Sequence, residues 1–309
     1  MGFRSTAIVG TIALVHLFTM SAATAADDEY AGDKSCLECH EAEYNSYQRS
    51  QHAVTADPRT PASEHGCESC HGPSKKHADN DGELNVGGLV GFGERAAASA
   101  ETKSSMCINC HSSSAKLAMW PGSTHMGNGV TCSNCHNPHT DNPKSLKYET
   151  AEEVCSGCHA NVGFDFQRVS HHPVPEGQIG CNDCHNPHGT SNDKLLVGTT
   201  TNETCYTCHA DKRGPFLWDH SPVTEACTTC HTPHGSSHDQ LLAEKAPLLC
   251  QRCHSNSRHP GTLYALNADT TANDSVYVSL NNRAIYRGCV NCHSAIHGSN
   301  HPSGKTLAR

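Results

Sequence analysis

Leu, Ile, Val and Phe are scarce in this chain, together 45 of 309 residues. That is below the roughly 20% at which a charged chain usually loses the ability to bury a core of its own. Aromatic residues make up only 5%, and the formal net charge is −9. Taken as an ordinary polypeptide, such a chain is disordered unless something other than its side chains builds the core. It has no basic stripe or basic repeat, which argues against nucleic-acid binding. Beyond residue 25 no apolar run approaches the roughly 20 residues of a spanning helix. Methionine there is limited to Met106, Met119 and Met126. No nucleotide or phosphate loop is visible. Two residue types stand far above ordinary usage instead: 20 Cys and 25 His.

Residues 1–25 read as a secretory leader, with Arg4 as the positive n-region, Ala7–Phe18 as the apolar run and Ala23-Thr24-Ala25 as a small-residue cleavage site. The apolar run is shorter than a membrane span and is interrupted by His16. Cleavage after Ala25, and export without an anchor, are therefore expected. Loss of Arg4 takes the formal charge from −9 to −10.

Every cysteine falls in one motif, C-x-x-C-H. The ten copies are Cys36, Cys39, His40; Cys67, Cys70, His71; Cys107, Cys110, His111; Cys132, Cys135, His136; and Cys155, Cys158, His159. They continue as Cys181, Cys184, His185; Cys205, Cys208, His209; Cys227, Cys230, His231; Cys250, Cys253, His254; and Cys289, Cys292, His293. This is the attachment signature of c-type haem. Two thiols one helical turn apart can add to the two vinyl groups of a porphyrin, and the adjacent imidazole then reaches the iron. Ten copies that consume all the cysteines behind a leader make a specific signal for ten covalently attached haem c groups. Zinc sites or disulfides could use C-x-x-C pairs, but neither explains a histidine after every pair.

Each iron then needs a sixth ligand or an open face. Without the ten proximal histidines and His16, 14 histidines remain. That is enough to close ten irons and leave four spare. Three methionines cannot provide general His/Met ligation, so bis-His ligation and low potentials are expected. An internal repeat nominates the distal ligands. CNDCHNPHGTSNDKLL from Cys181 matches CTTCHTPHGSSHDQLL from Cys227, and CSNCHNPHT from Cys132 is a third copy. In each of five di-haem units a free histidine follows each motif. The ten nominees are His52, His77, His125, His139, His172, His188, His220, His234, His259 and His297. His171 competes with His172, which is favoured; His65, His171, His238 and His301 are read as surface residues. His139, His188 and His234 follow their proximal histidines by three residues, too few to cross the porphyrin, so they are expected to serve a neighbouring haem. Which distal histidine serves which haem does not follow from the sequence.

The expected fold class is a multihaem cytochrome c, mainly irregular with short α-helices, forming an elongated haem-packed array with little or no β. Residues 26–309 form one domain of five units, about 30–80, 104–145, 150–195, 200–240 and 246–309. Odd-numbered motifs look helix-borne: Thr150–Glu153 is a capping-box pattern, Pro247 a first helical residue, and Lys103–Trp120 a stretch with few breakers before Pro121-Gly122. Four of the five even-numbered motifs are preceded by a glycine, Gly66, Gly129, Gly180 or Gly288, and three are followed by Pro138, Pro187 or Pro233. They are expected on short turns followed by bends. Gly82–Gly93 and Pro260–Gly288 are longer loops, the latter with a strand-like alternation at Val276–Leu280.

The chain resembles the MtrA/DmsE family of periplasmic decahaem cytochromes, including the iron-oxidising MtoA type. The resemblance covers most of residues 26–309. It is strongest in ETCYTCHADKRGPFLWDHSPVTEACTTCHTPHGS (Glu203–Ser236) and CVNCHSAIHGSNHPSGK (Cys289–Lys305). SHHPVPEGQIGCNDCHNPHG (Ser170–Gly189) also looks like the family, which pairs the histidine before proline with haem and so supports His172. The long N-terminal extension of the PioA type is absent, which disfavours that branch.

This resemblance implies a bis-His haem wire inserted into an outer-membrane β-barrel porin. It would link periplasmic or inner-membrane c-type cytochromes to an outer-surface multihaem cytochrome, a terminal reductase or a mineral. The expected role is electron transfer, not bond-making catalysis. The rival readings are a soluble periplasmic electron store or shuttle and a multihaem oxyanion reductase, which would need one iron with an exchangeable site.

Overall fold

The computed structural model describes residues 29–93, 95–192, 194–254 and 289–308. The expected leader, His259 and the Pro260–Gly288 spacer with Val276–Leu280 lie outside the described residues.

A chain with little apolar periodicity and many Gly and Pro residues cannot sustain long elements, and its helices are short. The longest among the described residues, Ala100–His111, has 12 residues, and Glu41–Tyr47 has 7. Helices below about 12 residues are marginal alone in water, so these depend on their caps and on what they pack against. Thr150 accepts from the Glu153 amide at 3.2 Å while Glu153 accepts from the Thr150 amide at 3.1 Å, closing the expected capping box. Ser99 and Thr200 cap in the same way, accepting from the amides of Thr102 and Glu203 at 3.1 Å.

Odd-numbered motifs start inside helices: Cys36 in Asp33–Leu37, Cys107 in Ala100–His111, Cys155 in Ala151–Ser156, Cys205 in Thr201–Tyr206 and Cys250 in Leu248–Gln251. Even-numbered motifs occupy single turns, Glu68–His71, Cys132–Cys135 and Cys181–Cys184, or 3-10 turns, Cys227–Thr229 and Cys289–Asn291. His136 and His185 then go extended, at φ −108°, ψ 144° and φ −119°, ψ 141°. Together with His231 they form isolated antiparallel bridges to Leu146, Leu196 and Leu242. No sheet forms among the described residues, where β structure is limited to isolated bridges.

Two local expectations shift. Pro247 is the N-cap of Leu248–Gln251 instead of its first residue. The helix over the third motif begins at Ala100 and ends at His111, so it does not run from Lys103 to Trp120. Ser112-Ser113-Ser114 follows it, and serine favours competing side chain–backbone bonds over a helical interior.

The polypeptide provides almost no core of its own. Among the described residues the buried hydrophobic side chains are Tyr47, Trp120 and Val174, while Phe164 and Val169 are 72% and 83% exposed. No helix among the described residues is long and apolar enough to cross a membrane.

Candidate functional site

The first cysteines of consecutive motifs meet in pairs. The thiols of Cys36 and Cys67, Cys107 and Cys132, Cys155 and Cys181, Cys205 and Cys227, and Cys250 and Cys289 lie beside one another. The second cysteines make the other junctions: Cys70 lies within electrostatic reach of Cys110, Cys135 of Cys158, Cys184 of Cys208 and Cys230 of Cys253. The motifs therefore follow one another in chain order, joined alternately through first and second cysteines. As free thiols, Cys132 and Cys181 are lowered to about 6 and about 7 by the hydrogen bonds from Cys107 and Cys155. That favours the thiolate, the reactive form of cysteine.

In two pairs the helix-borne motif also clamps its partner, and in two more a residue at the same offset lies beside it. A residue three positions before a helical cysteine shares its face. Asp33 Oδ1 accepts from the Cys67 amide at 2.9 Å, and Asn202 Oδ1 accepts from the Cys227 amide at 2.8 Å. Ser104 and Glu152, at the same offset, lie beside Cys132 and Cys181. The first pair carries a further tie. The buried Glu68 carboxylate accepts from the amides of Ala31 and Gly32 at 2.9 Å and from the Ser74 amide and hydroxyl at 2.8 and 2.7 Å. Burial pushes its pKa up, but these donors prevail and hold it below the usual value. The pattern was present in the sequence as a recurring polar residue at minus three, but only the fold shows what it faces.

The histidines form nine opposed pairs, each joining one motif histidine to one nominated distal histidine. His40 faces His77, His111 faces His52, His125 faces His159, His172 faces His209 and His231 faces His297, all with ring centroids 6.2 Å apart. His71 faces His139, His136 faces His188, His185 faces His234 and His220 faces His254, all at 6.1 Å. Ordinary stacking brings rings closer, as at Tyr30 and His65, 4.1 Å apart. Two metal–imidazole bonds of about 2 Å to one ion, plus the span from each nitrogen to its ring centre, put the centroids about 6 Å apart. The spacing fits an iron between each pair, and the flanking cysteine pairs fit the thioether bonds of haem c.

The pairing is reciprocal. His52, His125, His172 and His220 each face the odd-numbered motif of the next pair, whereas His139, His188, His234 and His297 face the even-numbered motif of the preceding pair. His77 closes back on the first motif. His172, not His171, faces a motif histidine; His171 bonds the Arg168 carbonyl and Glu176, which raise its pKa. His65 stacks on Tyr30, and His301 Nδ1 accepts from the Ser303 hydroxyl at 2.8 Å. His238 is in none of the nine pairs.

Hydrogen bonds orient the rings. In the even-numbered motifs the proximal Nδ1–H donates to a later carbonyl: His71 to Val90 at 3.0 Å, His136 to Lys144 at 3.2 Å, His185 to Lys194 at 2.8 Å, His231 to Gln240 at 2.8 Å and His293 to Thr306 at 2.6 Å. The residue after four of these carbonyls, Ser145, Leu195, Leu241 or Leu307, has φ between 48° and 58°. A non-glycine residue in that region is unusual, and here the twist aims the preceding carbonyl at the motif histidine. The Gly82–Gly93 loop does similar work for the second motif: Val90 accepts from His71, and Phe92 meets its ring edge-on at 5.2 Å. Such bonds fix the tautomer and leave Nε2 free for a metal. Burial also lowers the pKa of His52, His71, His139, His188, His234 and His297. It thereby favours the neutral form that binds iron.

This geometry has counterparts among known proteins. Multiheme cytochrome MtrA of Shewanella baltica is 41% identical over 280 residues, which cover 90% of this chain and 81% of the relative. The chain belongs to the MtrA family of multihaem cytochromes. As an MtrA-family member it is a c-type cytochrome with covalently bound haem, and its work is electron transport. The doubled CXXCH motif model matches residues 171–214 and 220–259, and the model for NrfB-like c-type cytochromes matches residues 67–150. The high-molecular-weight cytochrome c of Nitratidesulfovibrio vulgaris is 26% identical over 197 residues, 61% of this chain and 31% of that relative.

Proposed function

We propose that this MtrA-family chain is a periplasmic decahaem electron conduit that passes electrons through an outer-membrane porin–cytochrome complex, in metal reduction or Fe(II) oxidation. The observation that carries this reading is the run of nine opposed histidine pairs in chain order, each 6.1–6.2 Å apart. His40, His71, His111, His136, His159, His185, His209, His231 and His254 are the proximal ligands of nine irons. Their distal ligands are His77, His139, His52, His188, His125, His234, His172, His297 and His220 in that order. His293 with His259 makes the tenth pair by elimination. Each bound haem carries one electron by cycling between ferric and ferrous iron. Histidines on both faces leave no coordination position for a small substrate, which favours conduction over oxyanion reduction.

The five di-haem units and the cleaved leader belong to the same reading. The partners are a β-barrel porin, an outer-surface multihaem cytochrome or terminal reductase, and periplasmic or inner-membrane c-type cytochromes. Haem staining and mass measurement of the mature protein should give ten covalent haems. The ferric spectrum should be wholly low-spin, and the protein should co-purify with an outer-membrane barrel. A high-spin haem equivalent with nitrite or hydroxylamine turnover would sink the conduit reading. Ten low-spin haems on a protein that never associates with a barrel would leave an electron store.

A further inference from the structure

Eight of the nine described histidine pairs donate an Nδ1–H bond to a backbone carbonyl, and one does not. In the odd-numbered motifs the donor is the distal ring. His77 donates to Glu83 at 2.7 Å, His125 to Pro187 at 2.9 Å, His172 to Pro233 at 2.7 Å and His220 to Ile296 at 3.0 Å. The last three acceptors immediately precede the distal histidines His188, His234 and His297. At the third motif the equivalent acceptor is Pro138, before His139, but His52 Nδ1 makes no bond. Surrounding protein atoms cover it.

The first repeat differs where it would matter. Gly189, Gly235 and Gly298 follow the other three distal histidines, and each lies against backbone or ring atoms of the preceding pair. A Cβ on Gly189 would fall 2.5 Å from the Met119 carbonyl. Thr140 stands at this place after His139, and Ser46 donates instead to the His139 carbonyl. The carbonyl bond made by His125, His172 and His220 has no counterpart at His52.

We propose that the site of the third motif, formed by Cys107, Cys110, His111 and His52, has the highest reduction potential of the nine described sites. This inference rests on the bis-His reading above. An imidazole that donates from Nδ1 is a stronger electron donor through Nε2 and stabilises ferric iron; neither His52 nor His111 has that bond. The rings of His52 and His111 also cross at 78°, against 60° or less in the other eight pairs. Crossed rings donate π density into two iron orbitals instead of one, which leaves them nearly degenerate and gives the ferric site a strongly anisotropic paramagnetic signal. His52 thus sets an electron-accepting step early in the array.

The test is reductive titration of the holoprotein followed by electron paramagnetic resonance. The starting ferric protein should be wholly low-spin; high-spin iron at that stage defeats the bis-His reading, not the ordering proposed here. The first haem equivalent to disappear should carry the most anisotropic signal. His52→Ala should remove that equivalent and convert it to high-spin iron, whereas His188→Ala should remove a rhombic component that titrates later. A rhombic, parallel-ring signal disappearing first overturns the proposal in the wild-type protein alone, even if His52→Ala does not mature. So does survival of the first-reduced component in His52→Ala.

Discussion

The odd- and even-numbered motifs share five residues and solve the same problem in opposite ways. An odd motif starts within a helix, and its proximal ring makes no Nδ1 bond among the described residues; orientation comes from the distal side, where His125, His172 and His220 reach across to a neighbouring pair. An even motif sits on one turn and goes extended at its histidine, and that ring is anchored by a carbonyl in its own downstream loop. Its distal ring is the unanchored one. From the third pair onward, each pair of motifs therefore has an odd-numbered site oriented by the distal ring of its neighbour. The alternation ties consecutive pairs together in both directions without a polypeptide core.

The largest test of that comparison removes the cofactor. With only three buried hydrophobic side chains among the described residues and helices mostly below the length that is stable alone, apoprotein made without haem attachment should be largely unfolded. Far-ultraviolet circular dichroism would check this, and native-like helicity without haem would show that motif turns of both classes stand unaided. Next come the distal ligands. His125→Ala and His188→Ala should each yield one high-spin equivalent. The first should also lower stability further, by about 1 kcal/mol, because it loses the bond to Pro187. Equal melting shifts would erase the distinction between the classes.

The even anchor can be addressed directly. Ser145→Val places a β-branched residue at φ 48°, a region such residues avoid more strongly than serine does. It should pull the Lys144 carbonyl from His136 and raise the potential of one even-numbered site, while Ser145→Gly leaves it near wild type. Potentiometric titration distinguishes these. Thr140→Gly should have a smaller effect: it lets the Pro138 segment approach His52, lowering the potential of the third site and no other. Smallest of all, His171→Gln should leave the low-spin count unchanged, whereas His172→Gln opens one iron; the ferric absorption spectrum reads both.

Much of the site could be read from the chain because its chemistry is local. Two thiols and an imidazole at C-x-x-C-H spacing form a complete attachment device wherever they occur. The capping box at Thr150 and the extended turn after His136 rest on neighbours a few residues away. The constant offset of three at His139, His188 and His234 excluded self-closure on chain length alone. Other features had no local signature. His171 and His172 are adjacent, and only packing against His209 separates them. The clamp at Asp33 and Asn202, the left-handed residues Ser145, Leu195 and Leu241, and the Gly82–Gly93 loop against His71 gain meaning from partners distant in the chain.

By itself, then, the sequence determined that the core is a cofactor. A chain too poor in Leu, Ile, Val and Phe to bury itself, yet carrying ten attachment motifs, can fold only around the apolar faces of its porphyrins. It also determined the supply of histidines. Only the tertiary structure decided the exchange of histidines between neighbouring pairs, the ring that donates at each site and the one site where none does. Covalent attachment depends on spacing along the backbone, whereas axial pairing and hydrogen bonding depend on which segments the packed row brings within about 3 Å of one another.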